Sequence, residues 1–158
     1  MFLDTIIGKI ISTFVISMTP VIELRGAIPF GVANGLPLLF VCIISVIGNL
    51  IPVPFIILFI RKIFEWLRTK NEALNNFVLK FEDRAIRKSK LVQRYTFWGL
   101  FLFVAIPLPG TGAWTGAVIA AMLEIRLKIA LPAITLGLIC ASLIMSCLTY
   151  GVSALFFF

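Results

Sequence analysis

Three long stretches of the chain carry no formal charge, and a segment crowded with basic residues separates the first from the second. The uncharged runs are 26–60, 95–123 and 129–158, of 35, 29 and 30 residues. About 20 apolar residues carry a helix across the hydrocarbon core of a bilayer, so each run is long enough to cross once. Phe2 to Met18 reads as an apolar helix interrupted only by Asp4 and Lys9. It should stop at Thr19-Pro20, because proline lacks an N–H and restricts the residue before it. Glu23-Leu24-Arg25-Gly26-Ala27-Ile28-Pro29 follows, then a short stretch ending at Asn34-Gly35-Leu36-Pro37. A long apolar helix is expected from about Leu38 to Ile60, kinked near one end by Pro52 and Pro54.

The second half repeats this order. Tyr95 to Ile106 is apolar, and Pro107-Leu108-Pro109-Gly110-Thr111-Gly112 breaks any helix. Ala113 to Leu123 is a short apolar piece ending at Glu124-Ile125-Arg126-Leu127-Lys128, and a long segment from about Ile129 to Tyr150 follows. A slide of 90 residues sets Gly26-Ala27-Ile28 on Gly116-Ala117-Val118, and each return piece holds a G-x-x-x-G, Gly31 to Gly35 and Gly112 to Gly116. Each half therefore reads as a re-entrant helical hairpin followed by one spanning helix. Non-helical backbone at membrane depth is tolerated where protein or a water-filled cavity satisfies it, and two breaks can do so by facing each other.

Between the halves, residues 61–94 hold ten Lys/Arg against four acids, a local +6 within a total of +7. The positive-inside rule places such a segment in the cytoplasm. Ile60, Phe64, Leu67, Leu74, Phe77, Val78 and Phe81 make a narrow apolar stripe at helical spacing, and Asp83 and Arg87 form an i,i+4 pair. Such a helix can lie on the inner membrane surface or serve as a connector. With 61–94 inside, the two long helices run in opposite senses, which is the inverted-repeat plan of many secondary transporters. The expected architecture is all-α, a single multi-pass domain over 1–158 in the cell (cytoplasmic) membrane. It divides into repeats 1–60 and 95–158 joined by the basic segment 61–94.

Composition agrees: 61% of residues are hydrophobic and 13% charged, with a mean hydropathy of +1.11. Soluble domains are about a quarter charged. The N-terminus lacks the basic region and small-residue site of a cleaved signal. Cys42, Cys140 and Cys147 all sit in apolar runs without a CxxC spacing, and the chain has no histidine. That excludes Ser-His-Asp and Cys-His catalysis. No enzyme activity, metal or cofactor is expected. The basic balance is accounted for by topology, so no nucleic-acid partner is expected either.

The candidate chemistry lies in the two breaks. Glu23 and Arg25 are the charges of the first, and ionisable groups at membrane depth are functional-site hypotheses by default. Burial and a neighbouring guanidinium act in opposite senses on the ionisation of Glu23, which suits a proton-coupling group. Arg25 can grip a phosphate or carboxylate with two parallel hydrogen bonds. The alternative is a structural ion pair anchoring the hairpin. In the second break, Gly110, Gly112 and Gly116 let backbone N–H groups converge, and the following helix N-terminus favours an anion. Thr111 and Thr115 add hydroxyls, and Trp114 an apolar wall. Alternatively, the glycines only permit close packing. No lysine follows them, which sets a nucleotide P-loop aside. Asn49, beside Gly48, can hydrogen-bond across to a hairpin, or act as helix glue.

Glu23-Leu24-Arg25-Gly26-Ala27-Ile28-Pro29 and Pro107-Leu108-Pro109-Gly110-Thr111-Gly112-Ala113-Trp114-Thr115-Gly116 resemble the two signature segments of the bacterial and archaeal small multidrug export protein family. The resemblance covers nearly the whole chain. It carries Glu23, Arg25 and Gly26 over from the first motif, and Pro107, Pro109, Gly110, Thr111 and Gly112 from the second. The family is in turn distantly similar in plan to the DedA/VTT membrane proteins, which have paired re-entrant hairpins and include lipid-phosphate transporters. Those usually bear arginines in the second hairpin, where this chain has glycine and threonine.

The expected function is a small secondary transporter, exporting amphipathic compounds or moving a lipid-like anion, with Glu23 as coupling carboxylate. The expected site comprises Glu23, Arg25, Gly26, Pro29, Asn49, Pro107, Pro109, Gly110, Thr111, Gly112, Trp114 and Thr115. A membrane scaffold without transport is the alternative, and a DedA-like lipid-phosphate flippase a further one. Membrane lipids are partners, and so thin a bundle is expected to form a homodimer with twofold symmetry.

Overall fold

The computed structural model describes residues 5–88, 90–108 and 110–156, so Pro109 of the expected site lies outside it. Every element among the described residues is a helix: α1 (Ile6–Met18), α2 (Glu23–Ala33), α3 (Leu38–Leu50), α4 (Pro52–Arg68), α5 (Glu72–Lys88), α6 (Lys90–Arg94), α7 (Thr96–Ala105), α8 (Ala113–Met122) and α9 (Leu127–Phe156). Two stretches are long and apolar enough to cross a membrane, Leu38–Arg68 (α3 with α4) and Leu127–Gly151 within α9. Only a third or so of each is buried within the protein, and Ile43, Ile47, Phe55, Leu136 and Leu143 face outward. At 1.5 Å per residue the 13 residues of α1 reach about 20 Å and the ten of α7 or α8 about 15 Å, short of the ~30 Å hydrocarbon thickness.

The breaks fall where local chemistry puts them. Pro20 forces Thr19 into extended geometry (φ −74°, ψ 140°), and the Thr19 hydroxyl donates to the Ile16 carbonyl at 2.6 Å. The ends of α2 and α8 are built alike. Gly35 N–H donates to Val32 and Leu36 N–H to Gly31; Glu124 N–H donates to Ala121 and Ile125 N–H to Ala120. Each is a Schellman cap, with its turning residue at positive φ, Gly35 at 81° and Glu124 at 53°. A second correspondence lies in the long helices. A Cβ on Gly48 would meet the Phe14 carbonyl of α1 at 2.9 Å, and one on Gly137 the Phe101 carbonyl of α7 at 2.9 Å. In both halves the first helix thus presses its backbone on a glycine of the long one. Gly35 and Glu124, like Gly48 and Gly137, stand 89 positions apart, one fewer than the slide suggested by Gly26 and Gly116, whereas Phe14 and Phe101 stand 87 apart.

Two expectations need correction. The first long helix does not end at Ile60: α4 continues to Arg68, so the basic segment begins inside it, and the interruption lies at Ile51, where Pro52 withholds its N–H. The amphipathic stripe is also not wholly free for a membrane surface. Val78 and Phe64 are buried, and Phe64 meets Phe81 edge-on at 5.8 Å, seating α5 on α4. Arg68 pairs with Glu82 across the same contact, while Leu74 and Phe77 stay exposed. Asp83 and Arg87 pair at 2.9 Å, as their spacing predicts.

The halves interlock. Helix α8 packs chiefly on α4, and α2 on α1 and α3 with a further contact to α9. Ala113, Ala117, Ala120 and Ala121 of α8 are buried, and such small residues let helix backbones approach closely without water to drive them together.

Candidate functional site

The two breaks meet, and Glu23 and Arg25 are the residues that join them. Glu23 opens α2 at a φ of 51°, a left-handed conformation that a side-chain-bearing residue adopts at a cost of about 1–2 kcal/mol. That backbone sends Glu23 and Arg25 to different parts of the second break.

Glu23 is 4% exposed, and its Oε1 accepts the Trp114 N–H at 3.1 Å. The Ala113 N–H faces the same carboxylate. These are the first two residues of α8, whose own N-cap position is Gly112 and offers no side chain. Helix N-termini leave their first N–H groups unpaired and carry partial positive charge. Glu23 therefore caps α8 from another helix, an arrangement stabilising by about 0.5–2 kcal/mol. Gly112 makes the approach possible. Its φ of 140° and ψ of −173° belong to glycine, and a Cβ there would overlap the Glu23 carboxylate.

Arg25 turns to the carbonyl side of the same loop. Its Nη1 donates to the Leu108 carbonyl, and its Nη2 to Thr111 Oγ1 at 2.9 Å and, more weakly, to the Ile106 carbonyl at 3.4 Å. The loop is shaped for this. Leu108 N–H donates back to the Ile106 carbonyl at 2.8 Å, closing a γ-turn around Pro107, whose ring holds the φ that turn needs. The Thr111 hydroxyl lies 2.8 Å and 2.9 Å from the Ile106 and Leu108 carbonyls, one of which takes its proton. The second break is thus read by polarity: its carbonyls hold the guanidinium, and the N–H groups behind them hold the carboxylate.

Trp114 is more than the apolar wall expected of it. Besides offering its backbone N–H to Glu23, it donates from its indole Nε1 to the Met18 carbonyl at 3.1 Å, closing the last turn of α1 onto α8. Asn49 of α3 is fully buried beside Glu23, but neither its amide nitrogen nor its oxygen meets hydrogen-bond geometry with a described group. The Asn49 amide nonetheless lies close enough to act on the Glu23 carboxylate of the first hairpin.

The structure thus brings Glu23, Arg25, Asn49, Pro107, Thr111, Gly112 and Trp114 together. Gly110 turns the loop at a φ of 77°. Gly26 serves packing, because a Cβ would overlap the Ile22 side chain. Thr115 is half-buried and takes no part in the bonds that hold Glu23 and Arg25. Pro29 lies apart, on a cavity of about 230 Å³ shared with Met145, Leu148 and Thr149 of α9. Sequence reasoning missed Thr13, Ser17 and Ser45, all fully buried. Their four-residue spacing, Lys9-Thr13-Ser17 and Ser45-Asn49, was the available signal.

The Glu23 carboxylate fills the anion position that the glycine loop and the α8 N-terminus create. The guanidinium fork likewise ends on backbone oxygens. Both features expected to attract an external anion are occupied by the protein itself.

No curated protein and no solved structure matches the chain, and the likeness to the DedA/VTT proteins has no counterpart in these comparisons. The family described as "Putative small multi-drug export protein" matches residues 23–144, from Glu23 at the start of α2 to Ile144 within α9. That span holds Glu23, Arg25 and the whole second break and covers most of the chain, so the chain belongs to this family of membrane proteins.

Proposed function

We propose that the protein is a small secondary exporter of amphipathic compounds, with Glu23 as its proton-coupling carboxylate and the contact between the two breaks as its gate. The observation that carries this reading is that Glu23 caps α8 while Arg25, two residues on, is held by Ile106, Leu108 and Thr111. One side chain's ionisation therefore bears on whether the two halves hold each other. A hydrogen bond to a charged group contributes about 1.5–3 kcal/mol, and a neutral carboxyl also forgoes its attraction to the helix N-terminus. Protonation of Glu23 loosens the contact and its loss restores it. A shift of 1.4 kcal/mol changes a two-state population about tenfold, enough to couple proton and substrate.

The family supports export at a coarse level. The topology that fits this reading has α1–α2 and α7–α8 as re-entrant hairpins, too short to span, with α3–α4 and α9 crossing in opposite senses. Residues 61–94 are then cytoplasmic, and a homodimer would shield the hairpins. The occupied anion position favours export of amphipaths over transport of a lipid-like anion, since a phosphate must displace Glu23 from α8 and the backbone oxygens from Arg25.

The test is full-length protein in liposomes with an imposed pH gradient, following movement of tetraphenylphosphonium and, separately, of a short-chain lipid phosphate. Gradient-driven tetraphenylphosphonium movement that Glu23→Gln abolishes is the expected result. Lipid-phosphate movement that needs Arg25 would favour the anion reading, and no movement of either would leave a scaffold.

A further inference from the structure

We propose that Thr13 and Ser17 of α1 with Ser45 and Asn49 of α3 line a column of bound water, through which protons reach Glu23 from the face where Lys9 meets the end of α2. The proposal rests on the reading of Glu23 as the coupling group and names the route that feeds it.

All four side chains are fully buried. Lys9, Thr13 and Ser17 follow one another at i,i+4 on one face of α1, and Ser45, Gly48 and Asn49 share one face of α3. The two faces touch, because a Cβ on Gly48 would overlap Ser17 Oγ. At the near end Lys9 Nζ donates to the Asn34 carbonyl at 2.8 Å. At the far end Asn49 adjoins Glu23. Eight residues of helix separate Lys9 from Ser17, so the column runs about 12 Å inward.

The hydrogen bonds point to water as the occupant. Thr13 and Ser17 give their protons to their own helix, at 2.7 Å to the Lys9 carbonyl and 2.6 Å to the Phe14 carbonyl, leaving oxygen lone pairs free to accept. The Ser45 hydroxyl and the Asn49 amide meet full hydrogen-bond geometry with no described group, although the amide sits close enough to act on the Glu23 carboxylate. Buried groups in that state are costly and ordinarily hold water. The Asn49 amide needs one partner that accepts and one that donates. A bare cation satisfies only its oxygen and an anion only its nitrogen, whereas water satisfies both.

The charges around the column suit protons rather than metal ions. Arg25 is the charged neighbour of Glu23 on α2, α3 and α8 contribute no charged side chain, and the one charge of α1 is Lys9 at the mouth. An ammonium there discourages inorganic cations, while protons can pass along hydrogen bonds without a cation crossing it.

The experiment uses full-length protein in liposomes loaded with a pH-reporting dye, with proton movement driven by an outward tetraphenylphosphonium gradient. Asn49→Leu and Ser45→Ala should each slow proton movement about tenfold, the factor for one lost hydrogen-bonded link. Tetraphenylphosphonium exchange at equal pH should be unchanged in Ser45→Ala. Ser45→Cys, in a background lacking Cys42, Cys140 and Cys147, should react with a small water-soluble methanethiosulfonate even if Asn49→Leu fails to fold. Replacing sodium by choline should change nothing.

Wild-type proton movement in Asn49→Leu and Ser45→Ala, with Glu23→Gln inactive, would overturn the column and leave the role of Glu23 standing. Sodium-dependent movement at fixed pH, or an unreactive Ser45→Cys, would also overturn it. Proton movement surviving Glu23→Gln, or absent from wild type, would overturn both.

Discussion

Gly112→Ala is the sharpest test of the contact between the breaks, because one methyl group meets two separable penalties. The first is conformational: at φ 140° and ψ −173° a residue other than glycine is strained by about 1–3 kcal/mol. The second is the Glu23 carboxylate, which the new Cβ would overlap. Moving it away forfeits its bond from the Trp114 N–H, a hydrogen bond to a charged group, at about 1.5–3 kcal/mol. Glu23 is almost fully buried, so solvent screening does not reduce that figure. Together they come to about 2.5–6 kcal/mol, a large part of the ~5–15 kcal/mol that holds a folded protein together.

Gly35→Ala supplies the control. Gly35 also has a positive φ, 81°, but a Cβ there meets nothing within 4 Å, so only the left-handed penalty of about 1–2 kcal/mol applies. In thermal unfolding of the detergent-solubilised protein, each kcal/mol shifts the Tm of a chain this size by about 2–4 °C. Gly112→Ala should therefore lower the Tm by about 10 °C and Gly35→Ala by a few degrees. The carboxylate's share can be isolated by a double-mutant cycle. Glu23→Ala/Gly112→Ala should lose about 1.5–3 kcal/mol less than the two single losses added, because the overlap is gone. Equal losses at Gly112 and Gly35, or strict additivity with Glu23, would refute the close approach on which the proposed gate depends.

Glu23→Gln should fold and reach the membrane but lose the pH dependence of export; export at several pH values in liposomes checks this, and an unchanged profile would end the coupling role. Arg25→Lys keeps the charge but not the fork that reaches Leu108 and Thr111 together, so its Tm and export should both fall, and full retention of both would show that the fork is idle. Single cysteines at Gly35 and at Lys80 should label from opposite sides of intact cells, with Arg126→Cys matching Lys80, and same-side labelling of Gly35 and Lys80 would sink the inverted topology. Glu124→Gly removes a left-handed strain of about 1–2 kcal/mol and an exposed ion pair with Arg61 worth about 0–1 kcal/mol, so the Tm should hold or rise slightly; a fall of several degrees would mean that Glu124 does more than pair.

The features legible in the sequence were those written in side-chain chemistry at fixed spacing. Uncharged runs of membrane length, Pro20 as a stop and Gly35 as a turn mark helices and breaks before any coordinates are consulted, and two charges stranded in an apolar break mark Glu23 and Arg25. What could not be read depends on backbone that distant segments share. The Ile106 and Leu108 carbonyls that receive Arg25 have no signature, since any residue supplies a carbonyl. Glu124 turns a Schellman cap at a position where glycine is the usual residue, so the likeness between the ends of α2 and α8 has no signature in the residues.

The identity of the anion at α8 is the feature least legible in the sequence. A glycine loop before a helix invites a ligand from outside, yet Gly112 lacks a side chain so that Glu23 can fill the position. In this structure the loop and the carboxylate fill one another rather than enclose an open pocket. They fit as a plug and its socket, and in the proposed mechanism a substrate or a proton acts here by changing the hold of one on the other.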